Sequence, residues 1–358
     1  MMKKRIVSIE LLRIIAMMMV VTLHYLDKGG VLPLLTGEVN LNGYVAWGLE
    51  SLSIVAVNVY MLISGYLLVE TGFKPGRLVE LLCQVLFYTL LVPLVLLSVG
   101  VLEPGYFNLY HLLRDVLPVQ MEQYWFITAY VIMYLFSPVL SAAAKSMGKD
   151  KLGYTIVALL LFFSVSKTIL PVELAIDRSG NDAMWFLCVF LLAAYIRLYG
   201  IPFFGEGKGI KRGLICYFGG ALGIFGLTFV VRMVYLKTGS LDHFIKIGFD
   251  YNHVWNLLAA LGLFQAFLHW EIAGDSRIGR WICRWAPYSL GVYLCHEQIE
   301  VRYLWPKWIG ATGEGSVIFM LLRCIGSVSV VYIVGTLIDW IRACIFKGIR
   351  KGIHKIRK

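Results

Sequence analysis

Arg13 and His24 lie eleven residues apart in one apolar stretch, Ile6 to Leu26, and they are the pair in this chain best suited to chemistry. On an α-helix eleven residues advance about 1100°, roughly 20° past three full turns, so the two side chains share a face about 16 Å apart. A guanidinium in hydrocarbon is costly and an imidazole there needs a partner, so both read as functional. A cation deep in a helix and a histidine near its far end suit a long anionic cofactor whose tip undergoes proton chemistry. Glu50, about six residues into the next apolar segment, is expected at the depth of His24. A carboxylate beside an imidazole orients it and raises its basicity, as a general base requires. A late segment carries Ser289, Tyr293, His296 and Glu300 at spacings of four, three and four, which place them on one helical face. In a bundle such a polar stripe points inward, either as a site or as a satisfied core network.

The elements that must position these residues are membrane helices. The chain has 358 residues, 59% hydrophobic and 15% charged, with a mean hydropathy of +0.74. A soluble chain of this length would carry about a quarter charged residues. Apolar runs recur at 6–26, 44–69, 78–101, 124–144, 152–170, 183–199, 213–236, 254–270, 286–305 and 315–342, predicting an all-α bundle of about ten transmembrane helices. The first run follows Lys3-Lys4-Arg5 but is too long and too charged for a cleaved leader, so it reads as a retained helix. With the N-terminus inside, 22 of the 33 Lys and Arg residues fall in inner segments and seven in outer ones. This positive-inside bias predicts that both termini are cytoplasmic. The net charge of +11 then belongs to loops facing anionic lipid and not to a nucleic-acid surface. Residues 1–346 form the membrane domain, and the basic tail 347–358 reads as an anchor on the cytoplasmic membrane surface. The longest outer loops, 102–123 and 237–253, are expected to be functional. Seven scattered cysteines without a C-x-x-C spacing indicate neither a disulfide framework nor a zinc site, so no metal is expected.

Several further motifs fit around this pair. Ser64-Gly65 permits close helix packing, and Asn58 reads as interhelical glue. Lys74 and Arg77 follow the second span on the inner side, where they would meet phosphates or serve as an ordinary positive-inside loop. Tyr124 and Trp125 fall at the outer boundary of the fourth span, as belt residues or as an aromatic wall for a sugar. Lys167, Arg232 and Arg323 lie inside spans and are expected in ion pairs or at a cavity.

Four of these segments, in this order, resemble acyltransferase family 3 of integral membrane proteins. They are Glu10-Leu-Leu-Arg13 through His24, Val57-Asn-Val-Tyr-Met-Leu-Ile-Ser-Gly-Tyr66, Trp125-Phe-Ile-Thr-Ala-Tyr130 with Ser137-Pro138, and Ala286-Pro-Tyr-Ser-Leu-Gly-Val-Tyr-Leu-Cys-His296. The resemblance implies O-acylation, usually O-acetylation, of a cell-surface glycan or lipid-linked sugar by a cytoplasmic acyl-CoA such as acetyl-CoA. The location it implies is multi-pass, in a bacterial cytoplasmic membrane. Carried over from the family, His24 would be the essential histidine and Arg13 its partner in the motif. The remaining roles are read from the residues themselves, with Glu50 as the catalytic carboxylate beside His24. Arg13, Lys74 and Arg77 would hold the donor. Tyr124, Trp125, Ser289, Tyr293 and His296 would face the acceptor. Many members carry an arginine run after the second helix, where this chain has only Lys74 and Arg77 around Pro75-Gly76. The esterase-like domain of some members is missing, so transfer is expected to finish in the membrane domain or through a partner protein. The competing expectation is a secondary transporter or flippase, which also uses intramembrane charges. No paired repeats or matching broken helices support it.

Overall fold

A computed structural model describes residues 5–170, 178–241 and 244–356. Lys3, Lys4, Arg357 and Lys358, which enter the charge count, lie outside the described residues. The helices in chain order are α1 (Val7–Lys28), α2 (Leu41–Ser53), α3 (Ala56–Thr71), α4 (Pro75–Ser98), α5 (Leu109–Val116), α6 (Trp125–Ser146), α7 (Gly148–Leu160) and α8 (Ser166–Ile169). They continue with α9 (Ala183–Tyr199), α10 (Gly209–Thr238), α11 (Val254–Leu268), α12 (Arg277–Trp285), α13 (Ser289–His296), α14 (Trp305–Trp308) and α15 (Val317–Ile356). No strand occurs among the described residues.

Each of the ten apolar runs contains helix, yet among the described residues only seven helical stretches are long and apolar enough to cross a membrane. Seven membrane-length helices are thus established, and the count of about ten is not. α9, with 17 residues, is too short by this measure. α11 has 15 residues, and the run 286–305 breaks after His296. The second crossing is α2 and α3 joined by a turn at Ile54–Val55. The helix starts are set by side chains that accept an otherwise orphaned N–H: Asn40 from Gly43, Asp182 from Trp185 and Ser276 from Gly279. α10 stops at Gly239, whose φ of 68° and ψ of 7° lie in the left-handed region.

Small residues allow the tightest packing. A Cβ on Gly213 would sit 2.6 Å from the Ala266 nitrogen, and one on Gly220 would sit 2.8 Å from that of Ala259, so α10 and α11 meet backbone to backbone. Gly65 does the same for α3 against α9, at 2.8 Å from Ala193 Cβ. Where lipid is as apolar as leucine, such close approach and interhelical hydrogen bonds hold helices together. Asn58 supplies the bonds, donating to the Tyr251 carbonyl (2.7 Å) and accepting from Trp185 Nε1 (2.8 Å). Outward faces carry bare apolar side chains, among them Leu94 and Val95 of α4 and Leu322 and Ile325 of α15. Two intramembrane cations turn inward, whereas Arg323 stays partly exposed and donates to the Gly310 carbonyl. Lys167 pairs with Asp250 at 2.8 Å, and Arg232 is spent on the Leu35 and Gly37 carbonyls.

The alternation of chain direction gathers Arg5, residues 72–80 and residues 277–287 at one end, termed the near end. Arg5 donates to the Cys283 carbonyl there, and Arg350 of α15 pairs with Glu80 of α4. At the far end Lys28 meets Glu297, and Asn42 donates to the Gly313 carbonyl. α15 runs unbroken past residue 346, so the start of the basic tail continues the last membrane helix.

Candidate active site

His24 occupies the last turns of α1, and its side chain is 19% exposed. Its Nδ1 lies 2.9 Å from His296 Nε2 and 3.2 Å from Glu297 Oε2. His296 closes α13, with its own Nδ1 2.6 Å from the Val292 carbonyl. A carbonyl only accepts, so His296 Nδ1 carries the hydrogen and, in the neutral ring, Nε2 is an acceptor. His24 Nδ1 must then be the donor toward both neighbours. The neutral His24 ring therefore carries its free lone pair on Nε2, the nitrogen that neither partner touches.

Glu297 is the residue that sequence reasoning missed. The 286–305 run reads as one helix, which would put Glu300 on the stripe with His296. The chain instead turns after His296, bringing Glu297 against His24. Glu300 faces away, accepting from Arg114 (2.7 Å) and Tyr106 (2.8 Å) of the 102–123 loop. Glu297 also pairs with Lys28 and, at 3.6 Å, with Arg302. The available signal was Lys28, one helical turn after His24, a cation that needs a counter-ion wherever that face is buried.

The expected pairing of His24 with Glu50 is not present. Glu50 is 8% exposed and one carboxylate oxygen has no hydrogen-bond partner. Among the described residues no hydrogen bond or ion pair joins it to His24. The two helices do pack together, but the turn at 297 delivers the carboxylate that reaches the imidazole.

An aromatic shell surrounds the histidines. The Tyr293 ring lies 6.4 Å from that of His24, 5.9 Å from Phe126 and 5.7 Å from Tyr124. The Tyr293 hydroxyl is buried without a hydrogen-bond partner. Such an orphan is costly unless a ligand or water completes it. Tyr124 is 1% exposed and donates to the Leu294 carbonyl at 2.9 Å, so it is a wedge in the core and not an interfacial belt residue. Trp125 is half-buried and stacks on Tyr251 at 5.5 Å, with 26° between the rings.

A cavity of about 630 Å³ opens at the near end between α1, α3, α4, α6, α13 and α15. Arg13 lines it, held by Glu10 at 3.4 Å while its backbone carbonyl accepts from Tyr60. Arg77 and Ser289 also line it, whereas Lys74 is exposed outside it. His24 does not touch this space. Phe126 does, and its ring meets Tyr293, which in turn meets His24. One wall depends on Asp339 of α15, fully buried and absent from the sequence reading. It accepts from Arg342 (2.6 Å), Tyr88 (3.0 Å) and Gln84 (3.0 Å), locking α15 to α4 and aiming Arg342 at the cavity.

A family model described as an acyltransferase domain matches residues 6–337, nearly the whole of the described chain. No match was found among curated proteins or solved structures. The match takes in the paired histidines, six of the seven membrane-length helices in full and the first part of the last, and the chain belongs to acyltransferase family 3, a membrane acyltransferase.

Proposed function

We propose that this enzyme moves an acetyl group from acetyl-CoA, entering the near-end cavity from the cytoplasm, to a hydroxyl of a cell-surface glycan or lipid-linked sugar at the far end. The observation that carries the reading is the hydrogen-bonded order His24 Nδ1, His296 Nε2, His296 Nδ1, Val292 carbonyl, with Glu297 alongside. It leaves His24 Nε2 basic. In the proposed step Nε2 takes the acceptor hydroxyl proton while the oxygen attacks the thioester carbonyl. A C–O bond forms, the C–S bond breaks, and the departing thiolate receives the proton, giving the ester and CoA. Glu297 stabilises the imidazolium that exists between the two proton transfers. The Tyr293 hydroxyl is free to donate to the carbonyl oxygen as charge develops there. Nε2 is equally the atom that would carry an acyl group in a two-step route.

On the donor side, the cavity volume falls in the range of small-molecule sites, and its cations, Arg13 in depth and Arg77 at the mouth, suit an anionic carrier with a long neutral arm. Phe126 and Tyr293 must swing aside for the thioester to reach His24. On the acceptor side, the Trp125–Tyr251 stack supports binding of the apolar face of a sugar. Glu50 is an orphaned carboxylate suited to a sugar hydroxyl. The basic near-end residues support a cytoplasmic near end. The test is His24→Ala in purified enzyme with acetyl-CoA, alongside mass spectrometry of surface glycans from cells with and without the protein. Loss of transfer at unchanged folding is expected, together with loss of an acetyl mass from one glycan. Full activity in His24→Ala would refute the mechanism.

A further inference from the structure

The C-terminal extension of α15 does not simply leave the bundle. Arg342, Ala343, Phe346, Lys347 and Arg350 all line the cavity, at spacings of three and four that form one helical stripe. α4 faces it with Arg77, Glu80 and Gln84, another single stripe. The two helices are tied at depth by Gln84 on Asp339 and at the rim by Arg350 on Glu80. Arg342 is committed to Asp339. The cations at the mouth available to a ligand are therefore Arg77, Lys347 and Arg350. Among the described residues Arg350 is restrained by a single ion pair, whose side chains are 65% and 56% exposed. A pair that open to water contributes little and exchanges readily for a stronger anion.

We propose that this rim is a phosphate clamp: Lys347 and Arg350, opposed by Arg77, bind the phosphorylated nucleotide end of the donor, and Glu80 holds Arg350 until the phosphate displaces it. The inference rests on the acetyl-CoA reading above and extends it. It assigns Lys347 and Arg350 to the ligand, where the sequence assigns the basic tail to the membrane surface. A phosphate monoester brings nearly two negative charges and three acceptor oxygens, which favours a guanidinium and an ammonium over a single carboxylate competitor. Glu80 then has a selective role, since a neutral or singly charged ligand cannot dislodge it.

The experiment titrates the full-length protein in uncharged detergent with acetyl-CoA, 3′-dephospho-CoA and adenosine 3′,5′-bisphosphate, reading Kd from thermal stabilisation. The wild type is expected to bind acetyl-CoA about tenfold more tightly than 3′-dephospho-CoA, and to bind the bisphosphate measurably. Lys347→Ala/Arg350→Ala should weaken acetyl-CoA about tenfold or more and abolish the preference for the 3′-phosphate. Lys347→Arg/Arg350→Lys should retain it, and Glu80→Gln should tighten bisphosphate binding. A folded alanine double variant with wild-type Kd and preference would overturn the clamp. So would a double variant that keeps wild-type ligand Kd values but loses the wild type's thermal stabilisation by anionic lipid added to the detergent, which would return these residues to the membrane surface. A wild type that binds none of the three ligands would instead remove the acetyl-CoA reading itself.

Discussion

Replacing Glu297 by glutamine tests the general-base geometry most directly. The carboxylate lies 3.2 Å from His24 Nδ1, and both side chains are largely shielded from water. When Nε2 accepts a proton, the ring becomes a cation beside that carboxylate. Two unit charges about 4 Å apart interact by roughly 4 kcal/mol at the effective dielectric of a protein site. Lys28 and Arg302 already share the carboxylate, and glutamine retains a carbonyl that can accept from Nδ1, so about 2–3 kcal/mol of transition-state stabilisation should be lost. That is about 30- to 150-fold in kcat, with KM for acetyl-CoA nearly unchanged. A complication is that Lys28 is left buried without its counter-ion, and breaking such a pair costs about 3–5 kcal/mol of stability. The double variant Lys28→Met/Glu297→Gln removes that cost and should restore the melting temperature while kcat stays low. Glu50→Gln is the contrasting control. Its carboxylate makes no contact with His24, so kcat at saturating acceptor should stay within about twofold of wild type. Steady-state rates on protein matched for melting temperature decide the matter. Wild-type kcat in both Glu297 variants, or a large kcat loss in Glu50→Gln alone, would refute this assignment.

Arg13→Ala should raise KM for acetyl-CoA about tenfold while changing kcat little, measured as CoA release, because Arg13 lines the donor cavity and not the His24 site. Phe126→Ala should open the passage to Tyr293 and raise acceptor-independent hydrolysis of acetyl-CoA several-fold, read as free thiol; unchanged hydrolysis would mean the passage lies elsewhere. Gly291→Ala places a methyl group onto the Asp339 carboxyl, and overpacking of this kind costs about 1–3 kcal/mol, read as a lowered melting temperature. Gly326→Ala, with nothing within 4 Å of the added carbon, should leave that temperature unchanged.

The sequence by itself determined what depends on local periodicity and on the solvent. Apolar runs of spanning length required helices, and the Arg13–His24 spacing put both side chains on one face, because an α-helix repeats every 3.6 residues whatever surrounds it. Asn58 as glue and Gly65 as a close contact were legible for the same reason: in lipid, few other roles suit them. Contacts between segments distant in the chain were not legible. His296 is 272 residues from His24, and the pairing exists because α13 stops one residue short of Glu297, a break that the apolar run conceals. The same break took Glu300 out of the stripe and left Glu50 without the histidine. Asp339 is one acidic residue within an apolar helix, and only the packing of α4 and Gly291 against it makes it the anchor of the cavity wall. Tertiary structure decided which carboxylate meets which imidazole, since a helix fixes where its side chains point but not what comes to face them.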